Sequence, residues 1–189
     1  FEAMVRETNW TTVSIGFESG SDRVLKILNK ECTVEDNRFT IDLLNRIGDD
    51  MQARGRERPR FWANVMFGVP GETREDVFAT VRMIRRMKDP ILTPATYSPY
   101  PGSALGYQIT AEGKSRLGGD NVRYLGGRYM YGIDYDFLDD VMRGRYTYQI
   151  MSKDMDPTDF ASGDFHIIDH DEPPILRQWR ENEARTMRV

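Results

Sequence analysis

The sequence predicts an α/β fold built from parallel βαβ units. Runs rich in β-branched and aromatic residues alternate with helix-period runs in the order strand, helix, strand, helix, strand. The crossovers between strands are long enough to bring the chain back parallel to itself. Each strand candidate also ends in a turn rich in glycine, proline or serine: Glu18-Ser19-Gly20-Ser21, Gly68-Val69-Pro70-Gly71-Glu72 and Tyr97-Ser98-Pro99-Tyr100-Pro101-Gly102. In α/β sheets and barrels ligands sit at the carboxyl ends of the strands, so these three turns are the candidate site.

Thr11 to Phe17 reads as the first strand, with Ser21 placed to cap a helix whose apolar face is Val24, Leu25 and Leu28. Thr33-x-x-Asp36 has the form of a capping box for a second helix, which shows Ile41, Leu44 and Ile47 on one face and is expected to stop at Gly48. A charged link from Asp49 to Arg60 follows, and its arginines read as a solvated loop. The next strand runs from about Phe61 to Phe67. Thr73 then caps a helix with the stripe Val77, Phe78, Val81 and Ile84, which Asp89-Pro90 ends. Ile91 to Ser98 is the third strand; Pro94 inside it, lacking an N–H, places it at a sheet edge. Three strands alone leave two open edges, so further strands are expected before Phe1 and the chain is expected to be part of a longer one.

Composition narrows the class. The 189 residues are 39% hydrophobic and 30% charged, which describes a soluble globular chain of one domain, or one domain with an appendage. A net charge of −4 gives no footprint for nucleic acid. No apolar run is long enough for a membrane span and no secretory leader opens the sequence, so a cytoplasmic location is expected. The single cysteine, Cys32, falls between two helices and reads as structural. It excludes an internal disulfide and any all-cysteine metal site within these residues.

Gly16-Phe17-Glu18-Ser19-Gly20-Ser21-Asp22-Arg23-Val24-Leu25, with Leu28-Asn29-Lys30 and Thr33-Val34-Glu35 after it, resembles the fourth-strand region of radical S-adenosylmethionine enzymes, especially their cobalamin-binding group. Met66 to Thr73 resembles the fifth-strand motif of that family and Tyr97 to Ser103 its sixth strand; three motifs in order are more specific than any one. The anaerobic magnesium-protoporphyrin ester cyclases and related methyltransferases are the nearest look-alikes. Against the family's Gly-x-Ile-x-Gly-x-x-Glu pattern, Asn64 replaces the first glycine, Met66 the isoleucine, and the acid, Glu72, falls one place later.

The resemblance implies the C-terminal half of a partial (β/α)6 TIM-like barrel over residues 1–108, with a mixed, mainly helical and loop extension over 109–189. It implies S-adenosylmethionine and a [4Fe-4S] cluster as cofactors, the cluster cysteines lying outside this chain, and cobalamin on a separate domain in some members. It further implies the N-terminal remainder of the same polypeptide as a partner, and a small-molecule substrate. By the same resemblance Glu18, Ser19 and Gly20 would address the ribose or amino-acid part of the cofactor. Gly68, Val69, Pro70 and Glu72 would lie along its adenine side, and Tyr97 and Pro99 would close that side. The chain alone is expected to be inactive. Two other readings stand beside this one: a cluster-free barrel serving as a binding module, and a non-radical barrel enzyme using Glu18 or Glu72 as acid or base.

Beyond Tyr107 the βα rhythm is lost. Gly118-Gly119 and Gly126-Gly127 mark loops, Asp136 to Tyr146 reads as a short amphipathic helix, and Pro174 to Val189 as a charged terminal helix. Tyrosines 124, 129, 131, 135, 146 and 148 read chiefly as anchors for the extension. His166 and His170 have the spacing of a helical metal pair, but Pro173 and Pro174 favour a loop there.

Overall fold

The structure, a computed structural model, describes residues 2–8, 11–117 and 128–142. The histidine pair, the four loop glycines, Tyr124, Tyr146, Tyr148 and the terminal helix lie outside the described residues. The element order is α1 (Glu2–Glu7), β1 (Thr12–Glu18), α2 (Asp22–Ile27), α3 (Val34–Ala53), β2 (Arg60–Phe67), α4 (Arg74–Ile84), β3 (Ile91–Thr96), α5 (Ala104–Ala111) and α6 (Tyr135–Met142). The chain divides into two units, Phe1–Tyr135 and Asp136–Val189, and the first holds the sheet. No helix among the described residues is long and apolar enough to cross a membrane.

The three strands form one parallel sheet in the order β1-β2-β3. The fold is therefore parallel α/β; three strands establish a sheet and not a barrel. Pro94 lies on β3, an outer strand, opposite Val65. Along β2 the residues Phe61, Ala63, Val65 and Phe67 are buried while Trp62, Asn64 and Met66 are not, so one face of the sheet is core and the other partly open. Val13 and Phe17 continue the buried face onto β1, and Ile41, Leu44, Ile47, Val77, Val81 and Ile84 are the buried stripes of α3 and α4. On the open face Asn64 ties the strands together: its Nδ2 donates to Ser14 Oγ at 2.9 Å and to Ile15 O at 3.2 Å, and its Oδ1 accepts from the Thr93 hydroxyl.

Both capping boxes form, Thr33 with Asp36 and Thr73 with Asp76. Two helices stand where the sequence analysis named none, and one expectation is corrected. A helix, α1, precedes the first strand. A helix also follows the third: Ser103 Oγ accepts from the Gly106 N–H at 3.0 Å and caps α5. And α3 runs past Gly48 to Ala53, shortening the expected charged link. Gly48 is a packing residue rather than a stop, since a Cβ there would come 2.5 Å from Arg58 Cζ. That guanidinium pairs with Asp49 at 2.9 Å and lies over the Phe61 ring at 5.6 Å. In an open helix Gly→Ala gains about 1 kcal/mol. Here the group met is the far end of a flexible side chain, which can shift, so Gly48→Ala should gain less than that in urea unfolding, and in an Arg58→Ala background the same change should gain the full amount. An equal gain in both backgrounds would refute the packing contact.

Candidate site at the carboxyl edge of the sheet

Because the strands are parallel and adjacent, the turns after β1, β2 and β3 all open on one edge. The sequence-predicted residues are thus brought together as turns, but they do not all face the same way.

Glu18 closes β1 in a left-handed conformation, φ 60°, at a register slip between Gly16 and Glu18. A bulge of this kind re-aims the side chain at a strand end. The Glu18 carboxylate accepts from Lys30 Nζ at 3.2 Å, and the two side chains remain 21% and 36% exposed. A Cβ on Gly16 would lie 2.6 Å from Glu18 Oε1 and 3.2 Å from Lys30 Nζ, so the ion pair stands directly over Gly16. Gly16 is in register with Asn64, which puts the pair on the partly open face. Lys30 is a side chain at this edge that sequence reasoning passed over. It belongs to a quoted motif, but nothing in its spacing announces that the segment after α2 folds back onto Glu18.

Ser19 and Gly20 turn the other way. Ser19 is fully buried; its hydroxyl lies 3.2 Å from Thr80 Oγ1 and accepts from the Ser21 N–H at 3.1 Å. The Gly20 N–H donates to Thr80 Oγ1 at 2.8 Å. Asn37 Nδ2, from α3, donates to the carbonyls of Phe17 and Ser19 at 3.0 and 3.2 Å. The turn is thus pinned by two helices.

In the second turn Gly68 and Gly71 take φ of 75° and 77°, which glycine alone adopts without cost. The Gly68 N–H donates to Glu72 Oε2 at 2.6 Å. Burial pushes the Glu72 carboxyl up to about 7, against the pull of the Gly68 and Val69 N–H groups, with Asp76 adding to the rise and Arg23 opposing it. Its Oε1 is buried and makes no hydrogen bond. A carboxyl near 7 suits acid–base work, but this one is folded into its own turn. Val69 is fully buried in a cluster with Val24, Tyr97, Ile109 and Met130, and Met66 and Leu105 pack against it. Pro70 is partly exposed and Pro99 buried.

Tyr97 begins the third turn, its N–H donating to Phe67 O at 2.7 Å. Burial raises its phenol above the ordinary value, and a bond with Ser103 works against the rise. Tyr100, next along, is 70% exposed.

Among the described residues no group of three or more His, Cys, Asp or Glu side chains could hold a metal ion. Cys32, the one cysteine of the sequence, is partly buried between α2 and α3.

No family model matches the sequence. The chain is similar to the tRNA-2-methylthio-N(6)-dimethylallyladenosine synthase of Ehrlichia canis, 32% identical over 93 residues, which are 48% of this chain and 19% of that protein. The corresponding synthase of Ehrlichia chaffeensis matches to the same extent. That of Maricaulis maris is 33% identical over 86 residues, 46% of this chain and 17% of its own length. The matched region therefore spans less than a fifth of each of these relatives. They lend no support to the narrower resemblance to cobalamin-binding enzymes and magnesium-protoporphyrin ester cyclases.

Proposed function

We propose that this chain is part of a radical S-adenosylmethionine enzyme and supplies one wall of the cofactor site, on the nucleoside side. Residues 1–108 would be the C-terminal half of its barrel and 109–189 an extension, with the N-terminal remainder of the polypeptide as partner. The observation that carries the reading is the Glu18–Lys30 pair, held over Gly16 at the carboxyl edge with both charges partly exposed. A carboxylate there accepts hydrogen bonds from ribose hydroxyls or an ammonium group, and the lysine faces a carboxylate. Gly68 and Pro70 would offer backbone to the adenine. The buried Ser19, Val69, Tyr97 and Pro99 would contribute as the floor under the turns, and Gly20 and Glu72 by fixing turn shape. Bound there, S-adenosylmethionine would supply a sulfonium whose carbon–sulfur bond breaks on reduction. A [4Fe-4S] cluster does not fit the donors present, with one cysteine in the sequence, and no step of the reaction is assigned to these residues.

Equilibrium dialysis of S-adenosylmethionine against the chain tests the reading. Saturable binding is expected, weakened about tenfold by Lys30→Ala and by Glu18→Gln, roughly the worth of one charge-assisted hydrogen bond. Absence of saturable binding, or binding indifferent to both changes, would overturn it.

A second reading concerns the substrate. The relatives are named for tRNA, which favours a nucleoside in RNA over a free small molecule. The net charge is −4, and Arg6, Arg58, Arg82 and Arg86 are paired with carboxylates, so RNA affinity would have to come largely from the rest of the parent. Mobility-shift titration of the chain with tRNA should show no complex at physiological salt.

A further inference from the structure

Asp76, on the first turn of α4, collects donors from both of the first two turns. Its Oδ1 accepts from Ser21 Oγ at 2.6 Å, across 55 residues of sequence. Its Oδ2 accepts from the Thr73 N–H at 2.8 Å, from the Thr73 hydroxyl at 2.6 Å and from Arg23 Nη2. Arg23 Nη2 also donates to Gly71 O at 2.8 Å, so one guanidinium from α2 holds both the acid and the carbonyl of the glycine turn.

Two details mark this as more than a helix cap. Ser21 stands at the N-cap position of α2 with extended backbone, φ −121° and ψ 121°, yet its side chain makes no capping bond there and goes to Asp76 instead. And one helical turn on, Thr80 presents its hydroxyl to Gly20 N and Ser19 Oγ while donating back to Asp76 O at 3.0 Å. The first turn is therefore seated on one face of α4, the helix that the second turn leads into.

We propose that Asp76 is a positioning residue that locks the β1 and β2 turns into one wall, so that Glu18 and the Gly68 backbone keep a fixed relation to a bound ligand. The ligand part of this inference rests on the nucleoside-site reading above; the locking does not. Burial works against the charge on Asp76, but the bonds from Ser21, Thr73 and Arg23 outweigh it and hold the carboxyl down at about 2. The acceptor is thus charged throughout the neutral range.

The two roles of Asp76 can be separated by substitution. Ser21→Ala removes the bond from the first turn to Asp76 and leaves the Thr73 capping box and the Arg23 and Thr80 contacts; Thr73→Ala removes the hydroxyl half of the capping box and leaves the Ser21 bond. Hydrogen–deuterium exchange on the full chain should show Ser21→Ala raising exchange at residues 68–72 while 77–84 keep wild-type protection, whereas Thr73→Ala raises it at the start of α4. Ser21→Ala should also weaken S-adenosylmethionine binding about fivefold, and Ser21→Thr, which keeps the hydroxyl, should restore both readouts to within about twofold. Wild-type exchange at 68–72 in Ser21→Ala would overturn the locking. Raised exchange with unchanged affinity would overturn the positioning role. If the wild-type chain binds no S-adenosylmethionine, the nucleoside-site reading falls, and the positioning role with it, while the exchange measurement still decides the locking.

Discussion

Glu72→Gln is expected to abolish most of a pH dependence of stability that the wild-type chain shows between about pH 5 and 8. The folded carboxyl sits at about 7, against an ordinary 4.5, because burial disfavours its charge more than the turn's amides favour it. An acid raised on folding binds its proton more tightly in the native state. Its stabilising contribution is therefore complete below the unfolded value and is lost as pH rises through the folded one. From 4.5 to about 7, at roughly 1.4 kcal/mol per pH unit, the loss is on the order of 3 kcal/mol. Asp76, with its carboxyl down at about 2, moves oppositely and only in acid: its contribution is present above the ordinary value of 3.8 and is lost as pH falls toward 2, so the 5–8 window is clear of it. Urea titrations at pH 5, 6, 7 and 8 would show the wild-type midpoint falling across the series while that of Glu72→Gln stays nearly level. Parallel curves for the two proteins would mean that the carboxyl is ionised in the folded turn throughout.

What the sequence made legible divides along a physical line. Features set by near neighbours were readable: the strand from about Phe61 to Phe67, the capping box at Thr33 and the cap at Thr73, the edge position of Pro94, and hence a parallel sheet with its turns on one edge. Features set by a distant partner were not. Gly48 has the local character of a helix stop, yet α3 continues to Ala53 and Arg58, ten residues on, packs against it. Ser21 has the local character of a cap, and only the charged acceptor at Asp76 draws its hydroxyl elsewhere, charge-assisted bonds being the stronger kind. Gly68 reads as backbone open to the adenine side of a cofactor, and Glu72 takes its N–H from within. The edge of the sheet was thus foreseeable; which atoms face outward from it was not.

Gly20→Ala should cost more than substitution of a positive-φ glycine that has open space around it, such as Gly55 or Gly113, and for a different reason. At Gly55 and Gly113, φ is 71° and 68° and a Cβ would meet nothing within 4 Å, so the penalty is only that of a left-handed residue, about 1–2 kcal/mol. At Gly20 the Cβ would lie 2.4 Å from Ala79 O and 2.6 Å from Thr80 Cα, backbone atoms of α4 that cannot swing aside. The turn would have to lift off the helix, breaking the Gly20 N–H bond to Thr80 and disturbing the buried Ser19 hydroxyl. Overpacking of this kind costs roughly 1–3 kcal/mol and a broken buried hydrogen bond about 1 more, so a loss of about 3 kcal/mol is expected in urea unfolding. Equal losses at positions 20 and 55 would mean that the turn after β1 is not seated on α4 as described, and the locking of the two turns through Asp76 would lose its foundation.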